Sequence, residues 1–253
     1  MQFKFYREMD MFADSINSIP SSYSIGDNVY YTLLINIVNL NLKPGEPLNV
    51  KSISEQLNVS RTPVRDAFIK LAKEGLVDVF PQKGTSVSKI DLRRVQEEQF
   101  LRQSLEVRAV TIFMQEHQPS HLGSLAGFIL KQIEALETKD YLSCLQYDDE
   151  FHHVFFDAID KSMCWNAIQS FSGHYRRVRL MSIWDHDIFA GVIEQHRHML
   201  ENIEAGNIDR VRELFLEHSS KLVREVEALS DKYPEYFMDQ IEGSFLLKDF
   251  LRR

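Results

Sequence analysis

The chain has 253 residues, of which 44% are hydrophobic and 26% charged, and its formal net charge is -8. This length excludes a lone small module, and the composition excludes disordered and collagen-like chains. No run approaches the roughly 18 consecutive apolar residues of a membrane helix and the charged start lacks a signal-peptide core, so we expect a cytoplasmic protein with no membrane partner.

The first third of the chain alternates apolar segments with Pro, Gly and polar clusters, which is typical of a domain built from short elements. An aromatic-rich extension, 1–27, precedes these elements, and the sequence leaves open whether it is a flexible arm or a packed extra helix. Three helices follow, the second opened by Ser52 and the third ended by Gly75, over 29–40, 53–57 and 63–74. Alternating segments at 76–80 and 85–88 then predict a hairpin. We therefore expect a winged helix-turn-helix domain of α+β type over 28–89.

A helix-turn-helix spacing lies at 52–67, where a short helix, a turn and a second helix follow one another. Ser60 is placed to cap the second helix. Arg61, Thr62 and Arg65 occupy its first turns, where the helix N-terminus and two guanidiniums can face a DNA groove. The residues alone leave open a small α+β domain with two solvated arginines.

The predicted hairpin tip carries Lys83 and Gly84. A lysine supplies positive charge and a glycine permits close backbone approach, which suits contact with phosphate or the minor groove. Eight basic against five acidic residues between 43 and 89 also give this segment a local positive charge on an acidic chain. These features favour DNA as the partner of this domain.

Two segments, VSRTPVRDAF at 59–68 and PQKGTSV at 81–87, resemble the N-terminal winged helix of GntR-family transcription regulators. The resemblance covers about 30–87. It implies that the DNA-contacting helix residues are Ser60, Arg61, Thr62 and Arg65, with Gly84 at the tip of the wing.

The remainder of the chain has few Pro and Gly residues, and its apolar residues recur every three or four positions. This pattern predicts an all-α helical bundle over 90–230, so the expected fold class is mainly α, with the winged helix-turn-helix first. All nine histidines lie beyond residue 116. Residues 231–253 form a predicted amphipathic tail, which packs on its own bundle or on a partner subunit.

An Asp and a His interrupt an apolar stripe in the helix predicted over 140–159. Asp148 and His152 share this stripe, so both side chains should point into the bundle. Asp149 and His153 have the same spacing, but their stripe is mostly polar. We therefore expect that pair on the outside.

Two later histidines, His196 and His218, also share stripes with apolar residues, whereas His198 lies among polar ones. Burying three imidazoles and a carboxylate is costly unless they are paired or coordinate a metal. Asp148, His152, His196 and His218 together suit a divalent ion such as Zn²⁺ or Ni²⁺ and leave coordination positions open. The residues alone also allow hydrogen-bonded core side chains.

The segments DDEFH at 148–152, QHR at 195–197 and EH at 217–218 resemble the metal motifs of the FCD domain, the ligand-binding domain of FadR-like members of the GntR family. The resemblance covers about 91–229 and implies a metal site with an effector pocket beside it. By this resemblance the metal ligands are Asp148, His152, His196 and His218, and Arg102 of the opening helix lies beside the pocket.

Arg102 also shares a stripe with apolar residues, which places its guanidinium on the inner face of the bundle. A small carboxylate effector is its natural partner there. A structural bridge from Arg102 to Glu106 is the alternative. Tyr175, Arg176 and Arg179 are further pocket candidates unless they face solvent or a dimer partner.

The pattern as a whole predicts a homodimeric transcription regulator that reads a palindromic operator, with two recognition helices about one DNA turn, ~34 Å, apart. A small carboxylate bound at the metal would change operator affinity, with the linker near 88–92 as the conjectured moving element. One alternative is a metal sensor whose effector is the ion itself. Another is a metal-dependent hydrolase, against which no inward carboxylate clearly serves as a general base.

Overall fold

The computed structural model describes residues 23–184 and 186–239, and this part of the chain is mainly helical with one small sheet. The part of the predicted N-terminal extension before residue 23 lies outside the described residues. So does the predicted tail beyond residue 239. No helix of the described ranges is both long and apolar enough to span a membrane.

From residue 23 onward, where the structure describes the chain, the N-terminal half contains three helices and three short strands. In chain order they are α1 (Ile25–Val38), β1 (Pro47–Leu48), α2 (Val50–Gln56), α3 (Arg61–Lys73), β2 (Val77–Phe80) and β3 (Gly84–Val87). The strands are antiparallel in the order β1-β3-β2, with Pro47 opposite Ser86 and Val77 opposite Val87. The hairpin of β2 and β3 is the wing that the sequence predicts, and β1 is an additional strand.

Two helix starts differ from the sequence prediction. Helix α1 begins inside the predicted extension, because the Ser24 side chain accepts a hydrogen bond from the Asp27 backbone N–H. Helix α2 is capped by Asn49, whose side chain accepts hydrogen bonds from the backbone N–H groups of Lys51 and Ser52. The prediction that Ser52 opens this helix was therefore wrong, because an asparagine three residues earlier satisfies the free N–H groups.

The C-terminal half consists of seven α-helices in the described residues. They are α4 (Leu92–Glu116), α5 (Pro119–Glu137), α6 (Tyr141–Asp157), α7 (Ser162–Ser170), α8 (Gly173–Ile183), α9 (His186–Glu204) and α10 (Ile208–Lys232). A 3₁₀ turn, Pro234–Tyr236, follows the last helix. This arrangement confirms the predicted helical bundle after the winged helix.

Each half has a hydrophobic core of its own. Leu33, Val64 and Leu71 belong to the N-terminal core, and Phe113, Phe155 and Phe215 to the C-terminal one. The connection between the halves is held by the C-terminal segment, since Ile90 pairs with Phe237 in a short parallel bridge. Phe237 is itself buried, so the described part of the predicted tail packs on its own chain.

Candidate metal centre and nucleic-acid interface

The predicted DNA-reading residues lie together on the outside of the N-terminal half. Helix α3 begins at Arg61, and Ser60 is its N-cap residue without making a side-chain capping bond. Ser60, Arg61, Thr62 and Arg65 are all exposed. Within the described residues neither Arg61 nor Arg65 forms an ion pair, so both guanidiniums stand free at a helix N-terminus, where an anion is favoured.

The wing tip is the turn between β2 and β3. Gln82 and Gly84 have φ angles of 63° and 114°, and the backbone N–H of Lys83 donates to Phe80 O across the turn at 3.1 Å. Gly84 is suited to this place because a side chain is strained at that φ. Lys83 and Gly84 are both exposed, so the turn presents a cation and bare backbone to solvent.

Four predicted metal ligands converge inside the helical half. Asp148, His152, His196 and His218 each offer one ligand atom, and these atoms lie within 4.8 Å of one another. The three imidazole ring centroids form a near-equilateral triangle with sides of 5.0, 5.1 and 5.3 Å. Helices α6, α9 and α10 supply these side chains, which are buried except for the partly buried His218. His198, in contrast, is exposed, as the sequence predicts.

Two glutamines orient the histidine rings. The Nδ1 of His196 lies 2.8 Å from Gln132 Oε1, and the Nδ1 of His218 lies 3.0 Å from Gln195 Oε1. An amide oxygen accepts, so each Nδ1 carries the proton and each Nε2 keeps its lone pair. The Nε2 of His196 is buried with no hydrogen-bond partner, 3.6 Å from Asp148 Oδ1. A lone pair left free in this way fits a metal ion, because an orphaned buried nitrogen is otherwise costly.

The charge states of this cluster also suit a metal ion. Burial lowers the pKa of His196 well below its ordinary value and that of His218 to about 3, so both rings are neutral near pH 7. Burial alone would raise the pKa of Asp148, but Arg179, His152 and other nearby groups hold it well below its usual range. A carboxylate and neutral imidazoles are the forms that bind metal.

A layer of arginines and carboxylates covers one side of the cluster. Arg102 Nε donates to Glu106 Oε1 at 2.7 Å, which is the bridge that the sequence left open as an alternative, and Arg102 is buried. Asp149 is the centre of the layer. It accepts hydrogen bonds from Arg102, Arg176 and Arg179 at 3.3, 2.6 and 2.7 Å.

The prediction that the Asp149 and His153 pair lies outside was wrong for Asp149. Its side chain is only 13% exposed, because three guanidiniums draw the carboxylate inward although its stripe is polar. His153 remains partly exposed and stacks on Trp165, with ring centroids 5.3 Å apart. Arg176 and Arg179 likewise pair with Asp149 and do not face solvent freely.

Glu106 is an inward carboxylate beside the site that the sequence reasoning named only as a bridge partner of Arg102. It is buried, and its Oε1 lies 2.9 Å from His152 Nδ1, although the two atoms are not aligned for a hydrogen bond. Gln132 was also missed. Its signal was present in the sequence, since it occupies the apolar stripe of α5 together with Ile129 and Leu136.

A small cavity of about 50 Å³ adjoins the cluster. Arg102, Asp148 and His218 line it together with Tyr175 and Arg179 of helix α8. Tyr175 is buried, and the Arg179 guanidinium pairs with the Asp148 carboxylate. The two predicted effector residues, Arg102 and Tyr175, therefore share one cavity with two of the predicted metal ligands.

Comparisons with known proteins match both halves. The family model described as "Bacterial regulatory proteins, gntR family" matches residues 25–87, and the model described as "FCD domain" matches residues 99–221. The HTH-type transcriptional repressor RspR of Escherichia coli K12 is 28% identical over 216 residues, which are 85% of this chain and 95% of RspR. The solved structure of E. coli McbR/YncC shares the fold, with a TM-score of 0.68 and 22% identity, covering 83% of this chain and 99% of McbR. The chain therefore belongs to the GntR family of bacterial regulatory proteins, as a DNA-binding transcription regulator with an FCD domain after its winged helix-turn-helix.

Proposed function

We propose that this regulator binds a divalent metal ion through Asp148, His152, His196 and His218, and that a small carboxylate bound beside the ion changes its affinity for operator DNA. The observation that carries the proposal is the convergence of four ligand atoms within 4.8 Å in a buried site. The Nε2 atoms of His152 and His196 support it, because both are buried without a hydrogen-bond partner, which is otherwise unfavourable.

One carboxylate oxygen and three imidazole nitrogens form a donor set of borderline softness, which suits Zn²⁺ or Ni²⁺. When bound, such an ion supplies positive charge and open coordination positions for an anion. The protein's own residues fix the geometry. Gln132 and Gln195 orient the rings of His196 and His218, and Arg179 holds the Asp148 carboxylate.

The carboxylate effector is supported by charge and by the shape of the cavity. Three guanidiniums face three carboxylates in the layer beside the site, so a divalent ion would leave an excess of positive charge for an anion. Tyr175 and Arg179 line the same cavity and can donate hydrogen bonds to a carboxylate bound there. The cavity volume of about 50 Å³ admits a ligand of only a few heavy atoms.

On the DNA side, we infer a homodimer that reads a palindromic operator with two copies of α3 about one DNA turn, ~34 Å, apart. Ser60, Arg61, Thr62 and Arg65 would face the major groove, and Lys83 and Gly84 the adjacent backbone or minor groove. The name of RspR as a transcriptional repressor supports repression as the mode of action.

Two other functions were left open by the sequence. A hydrolase is disfavoured because Glu106, the inward carboxylate nearest the histidines, is a weak base: despite burial, Arg102 and His152 lower its pKa to about 2. A metal sensor differs from our proposal only in its effector. It is favoured if removal of the ion alone switches DNA binding with no carboxylate present.

The decisive test is the His196→Ala variant with His198→Ala as its matched control. Loss of the buried His196 should reduce the zinc content and remove the rise in melting temperature on zinc addition, since a ligand of the folded state stabilises it. The exposed His198 should contribute to neither. Full zinc occupancy of His196→Ala by elemental analysis would refute the shared site. For the effector, acetate or lactate should raise the melting temperature of the zinc-loaded wild type but not of Arg102→Ala.

A further inference from the structure

Helix α8 (Gly173–Ile183) contacts both the candidate metal centre and the DNA-binding half. In its C-terminal part, Arg179 pairs with Asp148 and donates to Asp149 at 2.7 Å, and Ser182 lines the cavity beside the metal ligands. A change in the position of the Asp148 carboxylate therefore acts directly on this helix through Arg179.

The first turn of α8 reaches the end of the DNA-reading helix through a buried histidine. His174 Nε2 lies 3.0 Å from the carbonyl oxygen of Gly75, and the backbone N–H of Asp91 donates to His174 Nδ1 at 3.0 Å. Arg177 approaches the same Nδ1. Since Nδ1 accepts, the ring is neutral with its proton on Nε2, and that proton is donated to Gly75. Burial lowers the pKa of His174 to about 3, which agrees with this assignment.

The carbonyl that His174 holds belongs to the turn directly after α3. Gly75 follows the C-cap residue Glu74 and has a φ of 76°, and its carbonyl also accepts from the Ser88 hydroxyl at 2.7 Å. A fully buried arginine fixes the same place, because Arg177 Nη1 donates to the Ser88 carbonyl at 2.7 Å.

Close packing joins the two helices at this point. A Cβ atom placed on Gly173 would lie 2.6 Å from Leu76 Cδ2, so the backbone of α8 is in direct contact with the residue after Gly75. A shift of α8 along its axis must therefore move the C-terminal end of α3 or break this set of buried hydrogen bonds. Movement of this end of α3 also changes the orientation of Arg61 and Arg65 at its other end, whereas loss of the hydrogen bonds would uncouple the two helices.

We propose that His174 and Arg177 are positioning residues for DNA binding, and that α8 transmits the state of the metal centre to helix α3 through them. The inference rests on the proposed metal-dependent function. Its physical basis is competition for one carboxylate: Arg179 must share Asp148 with an ion, and Arg179 and His174 belong to one helix of eleven residues. No charge change at His174 is needed.

Hydrogen exchange with the full chain, in excess Zn²⁺ and in EDTA, tests this inference. In the wild type, zinc should change amide protection in 141–157 and also in 61–76. We expect a change of about fivefold or more, because fivefold is the lower end of typical coupling between two sites. In His174→Phe, which loses the donor to Gly75, the change in 141–157 should remain and the change in 61–76 should vanish. His174→Gln, which retains a terminal amide donor, should restore part of it, and the exposed His198→Phe should behave as the wild type.

The possible outcomes separate the coupling from the metal site. No zinc effect at 141–157 in the wild type overturns the proposed metal site and the coupling with it. An effect at 141–157 without one at 61–76 overturns the coupling alone. An undiminished effect at 61–76 in His174→Phe overturns the role of His174. If His174→Phe does not fold, His174→Asn replaces it, since it keeps an acceptor towards Asp91 and loses the donor to Gly75.

Discussion

At the scale of single residues, the candidate site depends on side chains that do not belong to the ligand set. Gln132 is fully buried, and its amide connects His196 Nδ1 with the backbone carbonyl of Tyr147. By fixing the proton on Nδ1, it leaves Nε2 as the free donor atom of that ring. Partners of this kind commonly contribute ten- to a hundredfold to metal affinity.

We therefore expect Gln132→Leu to weaken zinc binding by about ten- to a hundredfold, because the His196 ring loses the acceptor that fixes its tautomer and orientation. Competition with a chromophoric chelator measures the affinity. Gln146→Leu, on the exposed face of α6, is the control and should bind zinc as the wild type does. Equal affinities of the two variants would contradict the role of Gln132.

The exposed arginines of α3 lead to a second prediction. Arg61→Ala or Arg65→Ala should weaken binding to a duplex selected by the wild type from a random library by about 1 to 3 kcal/mol, the cost of one lost base contact. Fluorescence anisotropy measures the change. Lys73→Ala, at the far end of the same helix, should cost less. Unchanged affinity in both arginine variants would exclude α3 as the reading helix.

At the scale of elements, helix α8 begins without a capping side chain of its own. Ser172 is its N-cap residue and makes no side-chain capping bond. Glu98 of α4 caps the helix instead, since its carboxylate accepts hydrogen bonds from the backbone N–H groups of His174 and Tyr175 at 2.9 and 2.8 Å. Burial raises the pKa of Glu98 to about 7, against the pull of these N–H groups and of Arg94. The cap that joins α4 to α8 thus titrates close to neutral pH.

The raised pKa of Glu98 predicts a pH-dependent stability. Between about pH 4.5 and pH 7 the folded protein retains a proton that the unfolded chain releases, so the free energy of unfolding should fall as pH rises, by about 3 kcal/mol over this range. Glu98→Gln keeps the acceptor oxygen and cannot ionise. Its melting temperature should vary less between pH 5 and pH 8 and exceed that of the wild type at pH 8. The exposed Glu97→Gln is the control, and a variant with the wild-type pH profile would contradict the prediction.

At the scale of the whole molecule, an acidic protein must approach an acidic polymer. The net charge is -8, yet the segment 43–89 carries eight basic and five acidic residues, with Lys83 exposed at the wing tip. Attraction to DNA is therefore expected at this segment, and binding should weaken steeply as salt increases.

Lys83→Ala should lower affinity for all duplexes alike and reduce the slope of log affinity against log salt by about 0.9, the effect of one lost phosphate contact. Titrations at several salt concentrations measure the slope. Arg212→Ala removes the same charge from an exposed position in the helical half, and its slope should equal that of the wild type. A loss confined to one base position would assign Lys83 to base reading.

Much of this architecture follows from periodicity in the sequence. Alternating steps of three and four residues predict the bundle and turn Asp148, His152 and His196 inward, because apolar neighbours fix the buried face of each helix. The same periodicity did not predict the burial of Asp149. Its burial depends on ion pairs with three arginines from other elements, and such pairs leave no local pattern in the sequence. Strand β1 was missed because two residues are too few to alternate.

The bridge between Ile90 and Phe237 has a consequence for biosynthesis. Ile90 donates to the Tyr236 carbonyl at 2.8 Å and accepts from the Met238 N–H at 3.0 Å, so the connection between the halves obtains its partner about 150 residues later. At ~5 to 20 residues per second, the ribosome needs roughly 7 to 30 s to supply that partner. During this interval the nascent winged helix, which has its own hydrophobic core, is complete while the connection beside it lacks its bridge. Emergence of residues 236–238 is thus the step that completes the bridge beside the connection.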